Sequence, residues 1–370
     1  MPAGHRGHER GPAFVRRARL PISSPPRGGA GTPRRAHGGI FAFNDPTDTM
    51  TTSSPMNDEA PARHLLALDW GTTSLRAALM RADGSVVRTA SSADGILSVP
   101  ANGFDTVFMR LFGDWLREFP DTVVLAAGMV GSRQGWVEAP YVACPAGFVE
   151  MATGLVRPLP TLRIAFVPGL STTHADGSPD VMRGEEVQIF GALEALGVEH
   201  GVFVLPGTHS KWAHVDQRRV QQFHTFMTGE LYALLRHQSI LARGMPANEG
   251  GTPSAWPAQR AAFVAGVQTA RAGTLLHSLF SVRARGLFDQ LPADAQPDFL
   301  SGLLVGEEIR EALALLGKGV AGPVHLVCNP GLADRYRCAL EVFGLAGVTA
   351  PEHASFQGLL AIARARGLLA

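Results

Sequence analysis

Two glycine–threonine turns and a pair of adjacent glutamates are the places where this chain could do chemistry. The first turn closes the phrase Leu68-Asp69-Trp70-Gly71-Thr72-Thr73, where an apolar run ends in one carboxylate and two hydroxyls follow. The second is Pro206-Gly207-Thr208-His209, again at the end of an apolar run. Peptide N–H groups and hydroxyls converging at a glycine turn can cradle phosphate oxygens, and a carboxylate beside them, here Asp69, can hold a hydrated Mg²⁺ through water. The plainer reading of either turn is a hairpin whose polar side chains bond their own backbone. Duplication favours phosphate, because a nucleotide lying between two such turns would meet one from each side.

Glu185 and Glu186 open a helix in residues 181–191. Acids at a helix N-terminus are favoured electrostatically without any catalysis. A carboxylate at that end, pointing into a cleft, is also well placed to take a proton from a hydroxyl, and only one of two neighbours can face the same way. In the loop Gly128-Met129-Val130-Gly131-Ser132-Arg133-Gln134-Gly135-Trp136, Arg133 could fork onto a substrate carboxylate with Gln134 and Trp136 beside it, or pair with Glu138.

The elements that must position these residues follow from the hydrophobic pattern. Residues 65–68, 75–80 and 86–89 read as three antiparallel strands, with Asp69 and the two hydroxyls displayed at the first turn. Residues 104–116 have helical spacing of their large apolar side chains, and Pro120 stops them. Residues 123–127 read as a buried strand, 164–170 as another strand and turn, and 171–180 as a polar loop. Strand alternating with helix indicates an α/β layer architecture. Residues 201–205, 211–215 and 219–224 repeat the opening plan of strand, Gly-Thr turn, strand, turn, strand, which implies two similar halves facing each other. Thr228 caps a further helix, residues 263–267 and 303–309 read as helices with glycines for close packing, and residues 324–328 read as a strand leading into Asn329-Pro330-Gly331-Leu332. That last loop could seat an adenine and ribose, or be an ordinary βα turn.

Composition narrows the choice. The chain has 370 residues, 45% hydrophobic and 18% charged, which suits one large or two medium domains. Net charge is +1; residues 1–50 hold eight Arg against Glu9, Asp45 and Asp48, or +5, which leaves −4 for the remainder. Nothing there reads as a nucleic-acid surface. Cys144, Cys328 and Cys338 form no CxxC pair, in keeping with a reducing, cytoplasmic protein without structural zinc, and His209, His214 and His224 read as structural. No window approaches the roughly 18 apolar residues of a membrane helix. Residues 1–60, rich in Arg, Pro, Gly and Ser, read as a disordered extension: a transit-like segment, or an over-extended start with Met50 or Met56 as the true one. Walker, dinucleotide-fingerprint, zincin and α/β-hydrolase motifs are missing from the sequence.

With these residues in view, the chain resembles the actin/hexokinase/Hsp70 superfamily of two-domain ATP users, and within it the 2-dehydro-3-deoxygalactonokinases. The phrases that carry the resemblance are Leu68-Asp69-Trp70-Gly71-Thr72-Thr73, the loop from Gly128 to Trp136, Arg183-Gly184-Glu185-Glu186, Pro206-Gly207-Thr208-His209-Ser210-Lys211-Trp212 and Thr228-Gly229-Glu230-Leu231. The resemblance implies an α/β fold of two ribonuclease-H-like (actin-like ATPase) domains facing a nucleotide cleft, with residues 61–182 as the first domain and 183–370 as the second. It implies phosphorylation of 2-dehydro-3-deoxy-D-galactonate at its terminal hydroxyl by MgATP, in galactonate breakdown. Asp69, Gly71, Thr72, Thr73, Gly207, Thr208 and His209 would then hold phosphate. Asn329, Pro330, Gly331 and Leu332 would hold adenosine, although Cys328-Asn329-Pro330-Gly331-Leu332 stands where the family phrase is closer to Gly-Ser-Pro-Ala-Leu. Arg133, Gln134, Trp136 and Arg183 would hold the sugar acid, with Glu185 or Glu186 as the base where related kinases carry Asp. Another sugar-acid kinase of the same fold, and a sugar-sensing regulator, remain the alternatives. The sequence leaves the oligomeric state open, a homodimer included.

Overall fold

The computed structural model describes residues 60–159, 162–247, 256–317 and 320–370, so the extension expected in residues 1–60 lies outside the described residues but for Ala60. The first apolar run forms β1 (His64–Trp70), buried from its second residue onward. It turns through residues 71–74 into β2 (Leu75–Arg81), which turns in its own right into β3 (Val86–Ser92); both pairings are antiparallel. Helix α1 (Phe104–Glu118) buries Phe104, Val107, Phe108 and Phe112, one face of a helix, and ends two residues short of Pro120. β4 (Thr122–Ala127) then runs parallel to β1.

The chain continues through β5 (Tyr141–Ala143), α2 (Phe148–Thr153), β6 (Ile164–Phe166), β7 (Gly169–Thr173), β8 (Pro179–Met182) and α3 (Glu185–Leu196). Here the structure departs from the sequence pattern. Residues 164–170 are not one strand: β6 pairs with β4, while β7 belongs to a separate small sheet with β5 and β8. Pro168, which has no N–H to give a ladder, stands at the break. Most of the expected polar loop 171–180 is the β7–β8 hairpin, where Asp176 Oδ1 accepts the Ser178 N–H at 2.9 Å. Residues 181 and 182 are strand rather than helix, and Gly184, at φ 103°, makes the turn into α3.

The second half repeats the first. It comprises β9 (Gly201–Leu205), β10 (Ser210–Asp216), β11 (Arg219–Phe226), α4 (Thr228–Gln238), α5 (Trp256–Ala272), α6 (Leu275–Leu287), α7 (Gln296–Leu316), β12 (Val324–Leu326), α8 (Pro330–Val342), β13 (Gly347–Thr349) and α9 (Ala354–Ala365). Among the described residues one five-stranded sheet has the order β3-β2-β1-β4-β6 and the other β11-β10-β9-β12-β13. In each, the first three strands are antiparallel and the outer two parallel. This is the ribonuclease-H-like plan, present twice, as the repeated sequence units imply.

The sheets share a core. Leu65 and Leu125 of the first and Phe203 and Val215 of the second join one apolar cluster with Val187, Phe190, Leu359 and Ile362 of α3 and α9. The two helices cross so closely that a Cβ built on Gly191 would lie 1.8 Å from the Ala354 carbonyl oxygen, and one on Gly358 1.9 Å from that of Val187. Only hydrogen fits there. α3 thus enters the middle of the molecule with its first residues, Glu185 and Glu186, at the end where the two repeated turns lie.

Candidate active site

Both turns present backbone N–H groups outward. Gly71 N–H donates to Ser74 O at 2.9 Å, and the carbonyls of Gly71 and Thr72 accept the N–H groups of Ile96 and Leu97 at 3.0 and 3.1 Å. Thr72 and Thr73 are exposed, and their amides and hydroxyls carry no partner among the described residues. The second turn is built alike: Thr208 O accepts the Glu230 N–H at 3.0 Å, and His209 Nε2 lies 2.6 Å from Glu230 Oε2. Gly207, Thr208 and His209 are exposed. With carbonyls tied to residues 96–97 and to the first turn of α4, the unpartnered amide hydrogens are what each turn offers an anion.

Asp69 stands at the end of β1, opposite Arg76 on β2. Its Oδ2 accepts from Arg76 Nη2 at 2.6 Å and from Ser355 Oγ, at the start of α9, at 2.9 Å. Oδ1 has no partner among the described residues.

The two glutamates differ sharply. Glu186 is fully enclosed, takes the Gly184 N–H on Oε2 at 2.6 Å and leaves Oε1 without a partner. Burial first, and the neighbouring Glu185 second, push its carboxyl up to about 8. Glu185 is only partly covered and takes the Arg183 N–H on Oε2 at 3.1 Å. Burial raises its carboxyl too, the ammonium of Lys211 opposes that, and Asp69 adds to it. Glu185 therefore feels both Asp69 and Lys211 across the seam between the sheets.

A group whose folded-state pKa is raised stabilises the fold at low pH and loses that contribution as pH rises. For Glu186 the window runs from its ordinary 4.5 to about 8. Glu186→Gln is expected to match the wild type near the bottom of that window and to exceed it above, by on the order of a few kcal/mol. Thermal melts of both proteins across the window check this; a gap that does not widen with pH would mean that Glu186 is ionised in the folded protein.

A cavity of about 360 Å³ adjoins the turns, with Arg76, Gln188, Pro206, Asn329, Pro330, Glu352, His353 and Ser355 among its lining residues. Asn329 and Pro330 thus face it, whereas Gly331 and Leu332 lie in the first turn of α8, where Asn329 Oδ1 caps the Leu332 N–H at 3.0 Å. Residues 352–355, which lead into and open α9, were not singled out by sequence and carry no local pattern of their own.

The sugar-acid candidates are dispersed. Arg133 is exposed over 87% of its side chain and pairs with Glu138 at 3.0 Å, the local alternative the sequence left open; Gln134 is exposed. Trp136 lies in the first sheet's aromatic cluster, 6.2 Å from Phe104 and 5.6 Å from Phe166 between ring centroids. Arg183 lies deeper: Nη2 donates to Ala139 O at 2.7 Å, the guanidinium sits 4.4 Å over the Tyr141 ring, and Nε and Nη1 are buried without a partner.

Behind the second turn lies Glu308 of α7, buried, accepting from Ser210 Oγ and Trp212 Nε1 at 2.7 Å each and from Tyr336 OH at 2.8 Å. It fixes β10 to α7 and α8. Its only sequence signal is an acid pair inside an apolar helix. His209, His214 and His224 join no metal-binding group, since no cluster of three or more His, Cys, Asp or Glu suited to a metal occurs among the described residues.

Comparison with known proteins gives a consistent picture. Residues 69–362 match the family described as 2-keto-3-deoxy-galactonokinase. The chain is 35% identical to the 2-dehydro-3-deoxygalactonokinase of Escherichia coli, over 81% of this chain and 97% of that protein. It is 39% identical to a Rhizobium meliloti protein provisionally given the same name, over 82% of this chain and 98% of that one. A crystal structure from Sinorhizobium meliloti, provisionally assigned the same activity, superposes with a TM-score of 0.70 at 36% identity, covering 81% of this chain and 98% of the other.

Proposed function

The chain belongs to the 2-keto-3-deoxy-galactonokinase family, and from that premise we propose that the cleft between its two sheets transfers the γ-phosphoryl group of ATP to the terminal, 6-hydroxyl of 2-dehydro-3-deoxy-D-galactonate, a step of D-galactonate catabolism. The observation that carries this is the pairing of two outward-facing amide turns, one from each repeat, around Asp69 and Glu185. We place the domain boundary between residues 182 and 183, where the small sheet ends and α3 begins. No helix among the described residues is long and apolar enough to cross a membrane. A soluble ATP-dependent step of sugar-acid breakdown belongs in the cytoplasm, and small molecules are its partners.

The roles follow from position. Thr72, Thr73, Gly207, Thr208 and His209 hold the phosphates through their backbone groups. Asn329 and Pro330, with residues 352–355 opposite, hold adenosine. Arg183 is better suited than Arg133 to the substrate carboxylate, because its guanidinium has unpartnered N–H groups away from water. Glu185, the partly uncovered acid, takes the proton of the 6-hydroxyl; the hydroxyl oxygen bonds to the γ-phosphorus, and ADP leaves with the electron pair of the broken P–O bond. Glu186 is enclosed and stays protonated behind it. Positioning and charge neutralisation supply most of the rate in such a reaction.

The residues fit Mg²⁺ as a partner of ATP rather than as a caged ion. Asp69 Oδ1 is free among the described residues, and one carboxylate with phosphate oxygens suits a cation that keeps several waters. When bound, the ion would neutralise phosphate charge.

A coupled ADP-release assay tests the reading, with 2-dehydro-3-deoxygalactonate, its gluconate epimer and galactonate as acceptors, each with and without Mg²⁺. Metal-dependent turnover on the first alone is expected. Turnover confined to another acid would overturn the substrate assignment. Asp69→Ala is expected to lower kcat by about 100-fold or more with a much smaller effect on melting temperature, since of the two partners it strands Arg76 is half exposed and Ser355 is a single neutral hydroxyl. Near-wild-type turnover of that variant would remove Asp69 from the metal's surroundings.

A further inference from the structure

Lys211 is the feature that the roles above leave without a purpose. It is one of two lysines in the chain, with Lys318. It lies on β10 just past the second turn and is only 6% exposed. Side chains alternate along a strand, so Ser210 and Trp212 turn one way, to Glu308, and Lys211 turns the other. On that opposite face Ala213 and Val215 pack into the core with Val187 and Phe190 of α3. Lys211 is therefore carried to the point where the second phosphate turn meets the helix that begins with Glu185.

Its hydrogen bonds are unusual for a buried cation. Nζ donates to Val181 O at 2.9 Å and to Thr225 Oγ1 at 2.7 Å, both neutral acceptors. The Thr225 hydroxyl donates to Asp180 Oδ1 at 2.6 Å, so it is oriented to accept from Lys211. Lys211 forms no ion pair within 4.0 Å with any described carboxylate. An ammonium has three donors and two are engaged. A buried ammonium whose hydrogen bonds go only to neutral acceptors is costly, and an arriving charge of opposite sign would offset that cost. Glu185 stands close enough to feel this ammonium, yet too far to pair with it.

We propose that Lys211 is a catalytic residue that contacts the transferred phosphoryl group, occupying the gap between the turn at Gly207, Thr208 and His209 and the carboxylate of Glu185. The proposal rests on the cleft described above as the place of transfer. In-line attack puts negative charge from the phosphoryl oxygens directly before a negative base. Lys211 neutralises that charge from beside the base, while the Val181 carbonyl and the Thr225 hydroxyl keep the ammonium from collapsing onto Glu185.

Lys211→Met keeps the length of the side chain and removes its charge. In the full chain it is expected to lower kcat by about 100-fold or more, with KM for both substrates and the affinity for ADP within about threefold of wild type. Wild-type kcat, or a loss confined to KM, would overturn the proposal. Turnover of the sugar acid by the unaltered enzyme is measured alongside, so failure of the kinase reading is seen separately. Should the variant not fold, the unaltered protein decides. With lysine labelled in ¹³C, its two lysines give two side-chain signals, assigned by Lys318→Arg. The Lys211 signal is expected to shift with sugar acid plus β,γ-imido-ATP and much less with sugar acid plus ADP. Equal shifts, or none, would overturn the contact.

Discussion

Glu185→Gln is expected to lose about 10²- to 10⁴-fold in kcat while folding and binding ADP as the wild type does. The amide keeps the oxygen that accepts the Arg183 N–H at 3.1 Å, so the start of α3 is not disturbed. It removes a charge that burial disfavours, so the melting temperature should hold or rise. In the wild type kcat should climb with pH through the raised titration of this carboxyl, because only its ionised form accepts a proton; the residual rate of the variant should lack that limb. ADP release from pH 5 to 9 and calorimetric ADP binding are the measurements. If the variant keeps a third or more of wild-type turnover, Glu185 is not the base. Glu186 could not simply take over, since it is fully enclosed and pushed up to about 8.

Gly229→Ala and Gly95→Ala carry the second large effect. A Cβ built on Gly229 would lie 2.3 Å from the carbonyl oxygen of Gly207 and 2.8 Å from Thr208 Cα. On Gly95 it would lie 2.3 Å from the carbonyl carbon of Thr73 and 2.4 Å from Thr72 O. In both places the obstacle is the backbone of one of the two glycine–threonine turns, which cannot rotate aside like a side chain. Each glycine comes three residues after the third strand of its repeat, which ends at Ser92 or at Phe226. The duplication thus extends from the turns to the braces behind them. A displacement near 1 Å in a positioning element can cost about 100-fold in rate, and each variant is expected to lose at least that in kcat/KM for ATP. Circular dichroism should remain native, because Gly95 lies in a loop and Gly229 in the first turn of α4. Wild-type kcat/KM in both variants would show that these turns do not hold the nucleotide.

What sequence could show was set by the range of each interaction. The turns, the strands feeding them, α1 with its stop before Pro120, and the repeat itself are local patterns and were legible. The β7–β8 hairpin was hidden because its Ser-, Thr- and Asp-rich composition resembles a loop; strand pairing there is decided by the partner strands. Trp136 next to Arg133 has the same spelling whether it faces a ligand or the core, and the structure places its ring among Phe104, Phe108 and Phe166. Glu308 and Ser210 are 98 positions apart, and Ser355 and Asp69 are 286 apart. No window of sequence contains such pairs. The residues proposed to touch substrate have a local signature, whereas those that hold them in place do not.

The last helix illustrates how far that separation reaches. α9 packs against α3 and contributes Ser355 to Asp69, Arg364 reaches the Ala82 carbonyl at 2.7 Å, and residue 62 is clasped by Leu368 O and the Ala370 N–H at 2.7 and 2.9 Å. The first sheet is therefore completed by residues that come after the whole second sheet in the chain. During translation β1 to β4 leave the ribosome early with one apolar face uncovered, and they must wait for the rest of the chain before α9 can cover it. Closing loops of that length makes folding slow and prolongs the exposure of sticky surface. Of the two sheets, the one made earlier is the one finished later.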